Sequence, residues 1–149
     1  MQTAGQPVRY GTMAHDHDVY AILADTATQE RNLDSLRKYA PLIEELAVRD
    51  DHRLYRGVAH RAQGVLHRLK GDYHEAQVRL TRALELFEQL DARWQIARTQ
   101  AELGELACAQ NELTTAHEHF ALALAAFEEL RAAPEVEKMR VVLSEVSRV

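Results

Sequence analysis

The chain alternates long segments, in which apolar residues recur every three or four positions, with short polar segments. The clearest segment spans residues 73–90, and its apolar positions form one continuous stripe along a helix. Those positions are Tyr73, Ala76, Leu80, Ala83, Phe87 and Leu90. The same pattern predicts seven helices in all, at about 16–30, 33–48, 53–69, 73–90, 93–109, 113–130 and 134–147.

When the sequence is aligned with itself so that Tyr73 matches Leu113, the whole stripe matches a second one. In the same alignment Gly64 matches Gly104. The second stripe consists of Leu113, Ala116, Phe120, Ala123, Phe127 and Leu130. Alignment with the opposite shift gives a third match over residues 33–50, and Asp50 is the one polar residue among its six matched positions. A fixed period of about 40 residues is typical of solenoids built from stacked helix pairs. We therefore predict an all-α fold, a right-handed α-solenoid of about three antiparallel helix pairs with a C-terminal capping helix.

The predicted domain organisation follows from this period. Residues 1–13 show no periodicity and are interpreted as a flexible N-terminal arm, while residues 14–149 form one helical repeat domain. The predicted repeats cover about 13–52, 53–92 and 93–132, and the capping helix covers 134–147. Asp16 or Asp18 is the predicted N-cap of the first helix.

Glycine, asparagine and proline mark particular points in this pattern. Gly71 and Asn111, at equivalent positions, are predicted to end helices in the left-handed conformation. Gly64 and Gly104 lie inside predicted helices, where glycine costs about 1 kcal/mol relative to alanine, so their recurrence indicates close helix contact. Pro41 either kinks the second helix or delays its start.

Two segments of the chain resemble tetratricopeptide repeats. They are GVAHRAQGVLHRLKGDYHEAQVRLTRALELFEQL, at 57–90, and ARTQAELGELACAQNELTTAHEHFALALAAFEEL, at 97–130. The unit of about 40 residues is longer than the usual one of about 34, and His60 and Gln100 stand where an early aromatic residue is expected. Longer units of this kind are similar to those of kinesin light chains and large bacterial regulators. The resemblance implies a non-catalytic module, in a regulatory or signalling system, that binds a peptide or helix of a partner protein.

The resemblance also implies that the first helix of each pair lines a concave groove. The predicted groove residues are Asp18, Asp25, Arg61, Val65, Arg68, Arg98 and Glu105. Arg61 and Arg68 are seven residues apart and share a helix face, so together they could hold a partner carboxylate through forked hydrogen bonds. Reversal of both charges would then abolish binding and leave the fold intact. The alternative is that Asp25 and Glu105 pair with these arginines inside the domain.

A second hypothesis is a scaffold that assembles through the capping helix. Its main apolar stripe consists of Val136, Met139, Leu143 and Val146. Val141, Val142 and Val149 lie outside this stripe, and extra apolar residues on a capping helix favour a homodimer contact.

No catalytic arrangement emerges from the sequence. Eight histidines are present, and the run HDHD at 15–18 is the densest group of possible metal ligands, but there is no HExxH or paired CxxC. His60 and His67 are two helical turns apart, too far to bind one ion without other ligands. Cys108 is interpreted as a small apolar residue. We expect no enzyme activity, cofactor or metal.

Composition limits the partners further. The net charge of −5 gives no reason to expect nucleic-acid binding. Residues 51–100 hold nine Lys/Arg and six Asp/Glu, whereas residues 101–149 hold four and nine, an asymmetry that could steer a partner. The chain has one cysteine and neither a secretory signal nor an apolar run long enough to span a membrane. We therefore expect a cytoplasmic protein whose partner is another protein or peptide.

Overall fold

The predicted all-α fold is confirmed by the computed structural model, which describes the backbone of residues 10–148 and the side chains of residues 18–148. The described residues form seven helices and contain no strand. The helices are α1 (Tyr10–Glu30), α2 (Leu33–Arg49), α3 (Arg53–Leu69), α4 (Tyr73–Gln89), α5 (Arg93–Ala109), α6 (Leu113–Glu129) and α7 (Ala133–Ser147).

The N-terminal part of the prediction needs two corrections. Helix α1 begins at Tyr10, so the arm predicted over residues 1–13 extends too far, and its residues 1–9 lie outside the described part of the chain. Asp16 and Asp18 lie inside α1 and do not cap it, because the helix continues through the polar residues before them.

Helix α2 begins at Leu33 and contains Pro41, so Pro41 does not delay its start.

Left-handed turns separate the helices at equal intervals along the chain. The residues with positive φ are Arg31, Asp51, Gly71, Asp91, Asn111 and Arg131. The predictions for Gly71 and Asn111 are confirmed. Asp51 and Asp91, like Asn111, have short polar side chains that tolerate this conformation, whereas at Arg31 and Arg131 it is unfavourable by about 1–2 kcal/mol per residue. The regular spacing shows that one helical hairpin geometry is repeated along the chain.

The helices form two layers. Helices α1, α3 and α5 lie in one layer, where α3 contacts both α1 and α5, and helices α2, α4 and α6 form the other. Helix α7 packs against α6. The predicted apolar stripes are buried between the layers: Leu36, Ala40, Ile43 and Ala47 of α2, Ala76, Leu80, Ala83 and Phe87 of α4, and Ala116, Phe120, Ala123 and Phe127 of α6. The fold is therefore an α-solenoid of helix pairs.

Glycines permit the closest helix contacts, as the sequence predicts. A Cβ on Gly104 would lie 2.6 Å from the Phe120 ring, and one on Gly64 would lie 2.6 Å from Leu80 Cγ. These two pairs occupy equivalent positions in successive repeats. Gly57 makes a third such contact, with Phe87 at 2.5 Å. A side chain at any of these three positions would thus force the large side chain of the paired helix to shift.

Helix α7 packs on one side only. Met139 is buried, and Val136, Leu143 and Val146 are partly buried against the core of α5 and α6. Glu137 and Ser144 occupy the positions that Ala97 and Gly104 take in α5, and both are exposed. At these positions α7 thus has polar side chains where α5 has small residues buried against α6. This difference is expected of a capping helix.

Candidate functional site

The candidate site is the surface of the α1, α3 and α5 layer that faces away from α2, α4 and α6. We call this surface the inner face. On it, side chains of α1 and of the α1–α2 turn reach α5 across α3: Asp25 of α1 contacts Arg98, and Arg31 of the turn contacts Glu102. The row of helices therefore curves so that α1 and α5 approach each other on this side, and the inner face is concave.

A buried ion cluster joins three helices at the centre of the inner face. Asp25 Oδ1 of α1 lies 3.1 Å from Arg61 Nη2 of α3 and 2.5 Å from Arg98 Nη1 of α5. Arg61 also donates to the Gln95 carbonyl and the Thr99 hydroxyl, both at 3.4 Å. The Arg61 guanidinium lies 5.2 Å from the centre of the Phe87 ring. The three charged side chains thus hold α1, α3 and α5 together.

Burial and the neighbouring charges together set the charge states in this cluster. Arg61 is 1% exposed, and burial, followed by the nearby Arg98, lowers its pKa to about 10, against the opposing effect of Asp25. The guanidinium therefore remains protonated at neutral pH. Burial also acts to raise the pKa of Asp25, but Arg61 and Arg98 outweigh it and the pKa lies below its usual value. The cluster is ionised when the protein is folded at neutral pH.

A second ion cluster lies nearer the C-terminal ends of α1 and α5. Glu102 Oε1 is 3.6 Å from Arg68 Nη1 and 3.7 Å from Arg31 Nη2. Glu105 pairs with the same two arginines, at 4.0 Å and 3.7 Å. Arg68 and Glu102 are buried. Two arginines thus share two glutamates, and the ion pairs of Arg31 connect the α1–α2 turn to α5.

These contacts favour one of the two interpretations of the groove arginines. Arg61 and Arg68 pair internally with Asp25 and Glu105, the alternative that the sequence leaves open. With these contacts we instead expect charge reversal at both arginines to destabilise the fold, because Arg61→Glu would place a carboxylate beside Asp25 and Arg68→Glu would place one beside the buried Glu102. Val65 is fully buried in the core and does not line an open groove.

The predicted residue Asp18 is the most accessible of the set. It is exposed on α1, and its carboxylate accepts a hydrogen bond from the Tyr55 hydroxyl of α3. Burial, and then this hydrogen bond, raises the pKa of Tyr55 to about 12. The pair borders a cleft of about 410 Å³, which we call the α1 cleft, lined by Asp18, Ala21, Ile22, Asp25, Tyr55, Val58 and Gln95. Ile22 is 64% exposed there.

A second cleft, which we call the α7 cleft, has mainly apolar walls. Its volume is about 540 Å³, and it is lined by Arg31, Glu105, Pro134, Glu137, Lys138, Met139, Val141 and Val142. Val141 is 49% exposed, whereas Val142 is partly buried against the core. Val149 lies outside the described residues. Of the three valines proposed for an oligomer contact, Val141 is therefore the one seen in an accessible position.

Sequence reasoning missed two members of the ion clusters, Glu102 and Arg31. Glu102 occupies the repeat position of Ile22 and Ala62, so a charged residue at an otherwise apolar position was the available signal. Arg31 stands at the repeat position of Gly71 and Asn111, in a turn. Nothing in the repeat pattern indicated that its side chain would reach α5.

The described histidines and the cysteine are not members of the two ion clusters. His60 Nδ1 lies 3.1 Å from Arg79, and His119 Nδ1 lies 2.8 Å from Gln100 Oε1; burial lowers the pKa of both histidines. Cys108 is a free, partly buried thiol, and burial, then Glu105, raises its pKa. No group of three or more His, Cys, Asp or Glu suited to a metal ion occurs among the described residues. The side chains at 15–17, in the HDHD run, lie outside them.

Every helix in the described part of the chain is too short or too polar to cross a membrane. Comparison with known proteins adds no family assignment, since neither a protein-family model nor a curated protein matches this chain.

Proposed function

We propose that the chain is a non-catalytic, tetratricopeptide-like interaction module that binds a peptide or helix of a partner protein on its inner face. The observation that carries the proposal is the concave inner face, on which α1 and α5 are joined across α3 by Asp25 and Arg98. Curved surfaces of stacked helices are the binding surfaces that solenoid proteins use. The resemblance to the arrays of bacterial regulators favours a role in a regulatory system.

Rigidity of the inner face supports this proposal. The two ion clusters connect the first helices of all three pairs, and Arg61, Arg68 and Glu102 within them are buried. A surface held in one conformation loses little conformational entropy when a partner binds. The clusters therefore act as the support of the binding surface, and the contacts with a partner come from the exposed side chains beside them.

The α1 cleft provides those exposed side chains. Ile22 supplies exposed apolar surface, the buried Val58 forms part of the cleft wall, and the exposed carboxylate of Asp18 lies at the edge. A partner segment would place an apolar side chain against Ile22 and a basic side chain near Asp18. This assignment replaces the carboxylate-binding role first predicted for Arg61 and Arg68.

Selection of peptides tests the proposal. Random peptides displayed on phage are selected on the protein, and an enriched peptide is synthesised for affinity measurement. Ile22→Glu, at the α1 cleft, should weaken binding by about tenfold or more. The reason is that an apolar side chain that the bound peptide covers contributes strongly to affinity. Leu122→Glu is the matched control, since Leu122 is 55% exposed on α6, outside the inner face, and it should leave affinity unchanged.

Two results would count against the proposal. One is a selection that enriches no peptide. The other is an enriched peptide whose affinity changes with Leu122→Glu and not with Ile22→Glu. That result would place the binding surface on the layer formed by α2, α4 and α6. Circular dichroism of both variants verifies that the helices are intact.

A further inference from the structure

Helix α7 has an exposed face that the proposed peptide site does not use. Pro134, Glu137, Lys138 and Val141 follow the spacing i, i+3, i+4, i+7, which places them on one side of a helix. All four are exposed, and all four line the α7 cleft. Pro134 and Val141 are the apolar ends of this face, and the two charged residues lie between them.

The charges on this face are unmatched among the side chains that the structure describes. Among residues 18–148, neither Glu137 nor Lys138 forms an ion pair, whereas Arg31 on the opposite wall is shared by Glu102 and Glu105. The floor of the cleft includes Met139, which is buried in the core. A complementary surface must therefore offer apolar groups at both ends, a cation facing Glu137 and an anion facing Lys138.

Helix α7 itself offers this arrangement in reverse order. We propose that the α7 cleft is the contact between two copies of the chain, whose α7 helices pack antiparallel about a two-fold axis. The axis passes between Glu137 and Lys138. Each Glu137 then faces Lys138 of the second copy, and each Pro134 faces Val141 of the second copy. Such an isologous contact is self-complementary, as a closed dimer requires.

Charge complementarity favours a second copy over an unrelated partner, because one helix face supplies both halves of the contact. The contact is small, since it involves one face of a helix and the cleft beside it. Small interfaces give weak, reversible association, so we expect a dimer with a dissociation constant on the order of 10–100 µM. This inference does not depend on peptide binding at the α1 cleft.

Sedimentation equilibrium over a range of concentrations around that value tests the proposal. The wild-type chain should pass from monomer to dimer. Glu137→Lys alone puts two cations on each copy, and Lys138→Glu alone puts two anions on each, so each variant should lose at least about tenfold in dimer affinity by like-charge repulsion. An equimolar mixture of the two variants should form heterodimers, and the combined variant should dimerise again.

Two further variants separate this contact from other causes. Val141→Asp should abolish the dimer, and Leu122→Asp, at an apolar residue of similar exposure on α6, should not. Monomer at every concentration, dimers that ignore the α7 changes, or failure of the mixture to associate would each overturn the proposal. Monomeric Val141→Asp should still bind the peptide selected for the α1 cleft, so failure of the two proposals can be told apart.

Discussion

Asp25 and Arg98 are 73 positions apart in the chain, yet the Asp25 Oδ1 and Arg98 Nη1 atoms lie 2.5 Å apart. The two residues belong to the first and third helix pairs, so the contact spans the whole inner layer. The same carboxylate pairs with Arg61 of the second pair. One aspartate thus joins all three repeats, a contact that nearest-neighbour packing of repeats does not provide.

Removal of the Asp25 charge should destabilise the domain strongly. Asp25→Asn leaves the buried Arg61 guanidinium without its partner, and loss of one member of a buried pair costs about 3–5 kcal/mol. Urea unfolding followed by circular dichroism measures the change in the free energy of unfolding.

Asp91→Asn is the matched control for this substitution. The Asp91 side chain is 82% exposed, and asparagine tolerates the left-handed conformation found there. We expect a change within about 0.5 kcal/mol. Equal effects of the two substitutions would contradict the role assigned to the buried cluster.

The contribution of Asp25 should also depend on pH in a defined direction. Its pKa in the folded protein is lowered from 3.8, so its stabilising effect is complete above that value and is lost as pH falls through the lower folded value. The difference in unfolding free energy between wild type and Asp25→Asn should therefore be constant from pH 7 to about pH 5 and shrink below about pH 4. A difference that grows on acidification would contradict this sign.

The fold was largely predictable from the sequence because one physical pattern occurs three times. The stripe that contains Ala76, Leu80 and Ala83 recurs as Ala116, Phe120 and Ala123, and burial of apolar positions at helical spacing is a local rule. The start of α1 was not predictable in the same way. Tyr10 and the polar residues after it carry no apolar period, so the helix continues without the signal on which the prediction relied.

Tight packing at Gly104 makes a specific prediction. Alanine normally stabilises a helix relative to glycine by about 1 kcal/mol, but here its Cβ would lie 2.6 Å from the Phe120 ring. Gly104→Ala should therefore destabilise the domain by about 1–3 kcal/mol through overpacking.

Phe120→Val provides the background that tests this cause. It removes the ring atoms that the new Cβ would meet, so in that background Gly104→Ala should lose its penalty. Thermal unfolding of the four proteins completes the cycle. An unchanged penalty in the Phe120→Val background would show that the cost does not come from this contact.

Two arginines in left-handed turns should respond differently to glycine. Arg131 has φ of 57° and Arg31 has φ of 51°, and glycine removes the Cβ strain at both. Arg131→Gly should stabilise the domain by up to about 1 kcal/mol. Arg31→Gly should give less stability than Arg131→Gly, because it also removes the contacts with Glu102 and Glu105. Equal gains in melting temperature would show that the Arg31 contacts contribute nothing.

The candidate site was less predictable than the fold, for a physical reason. Spacing identified Arg61 and Arg68 as sharing a helix face, and that much is correct. Whether such arginines meet a partner or an internal carboxylate depends on how far α1 curves toward α5, which no local pattern encodes. The same limit applies to Val65, whose burial depends on the helices packed on both sides of α3.

The isoleucine methyl spectrum tests the central claim, binding on the inner face, most directly. The chain has three isoleucines: Ile22 is exposed at the α1 cleft, Ile43 is fully buried, and Ile96 is partly buried. Titration of a selected peptide into the methyl-labelled protein should shift the Ile22 signal most and leave Ile43 unchanged. Saturable peptide binding with no change at Ile22 would contradict the account.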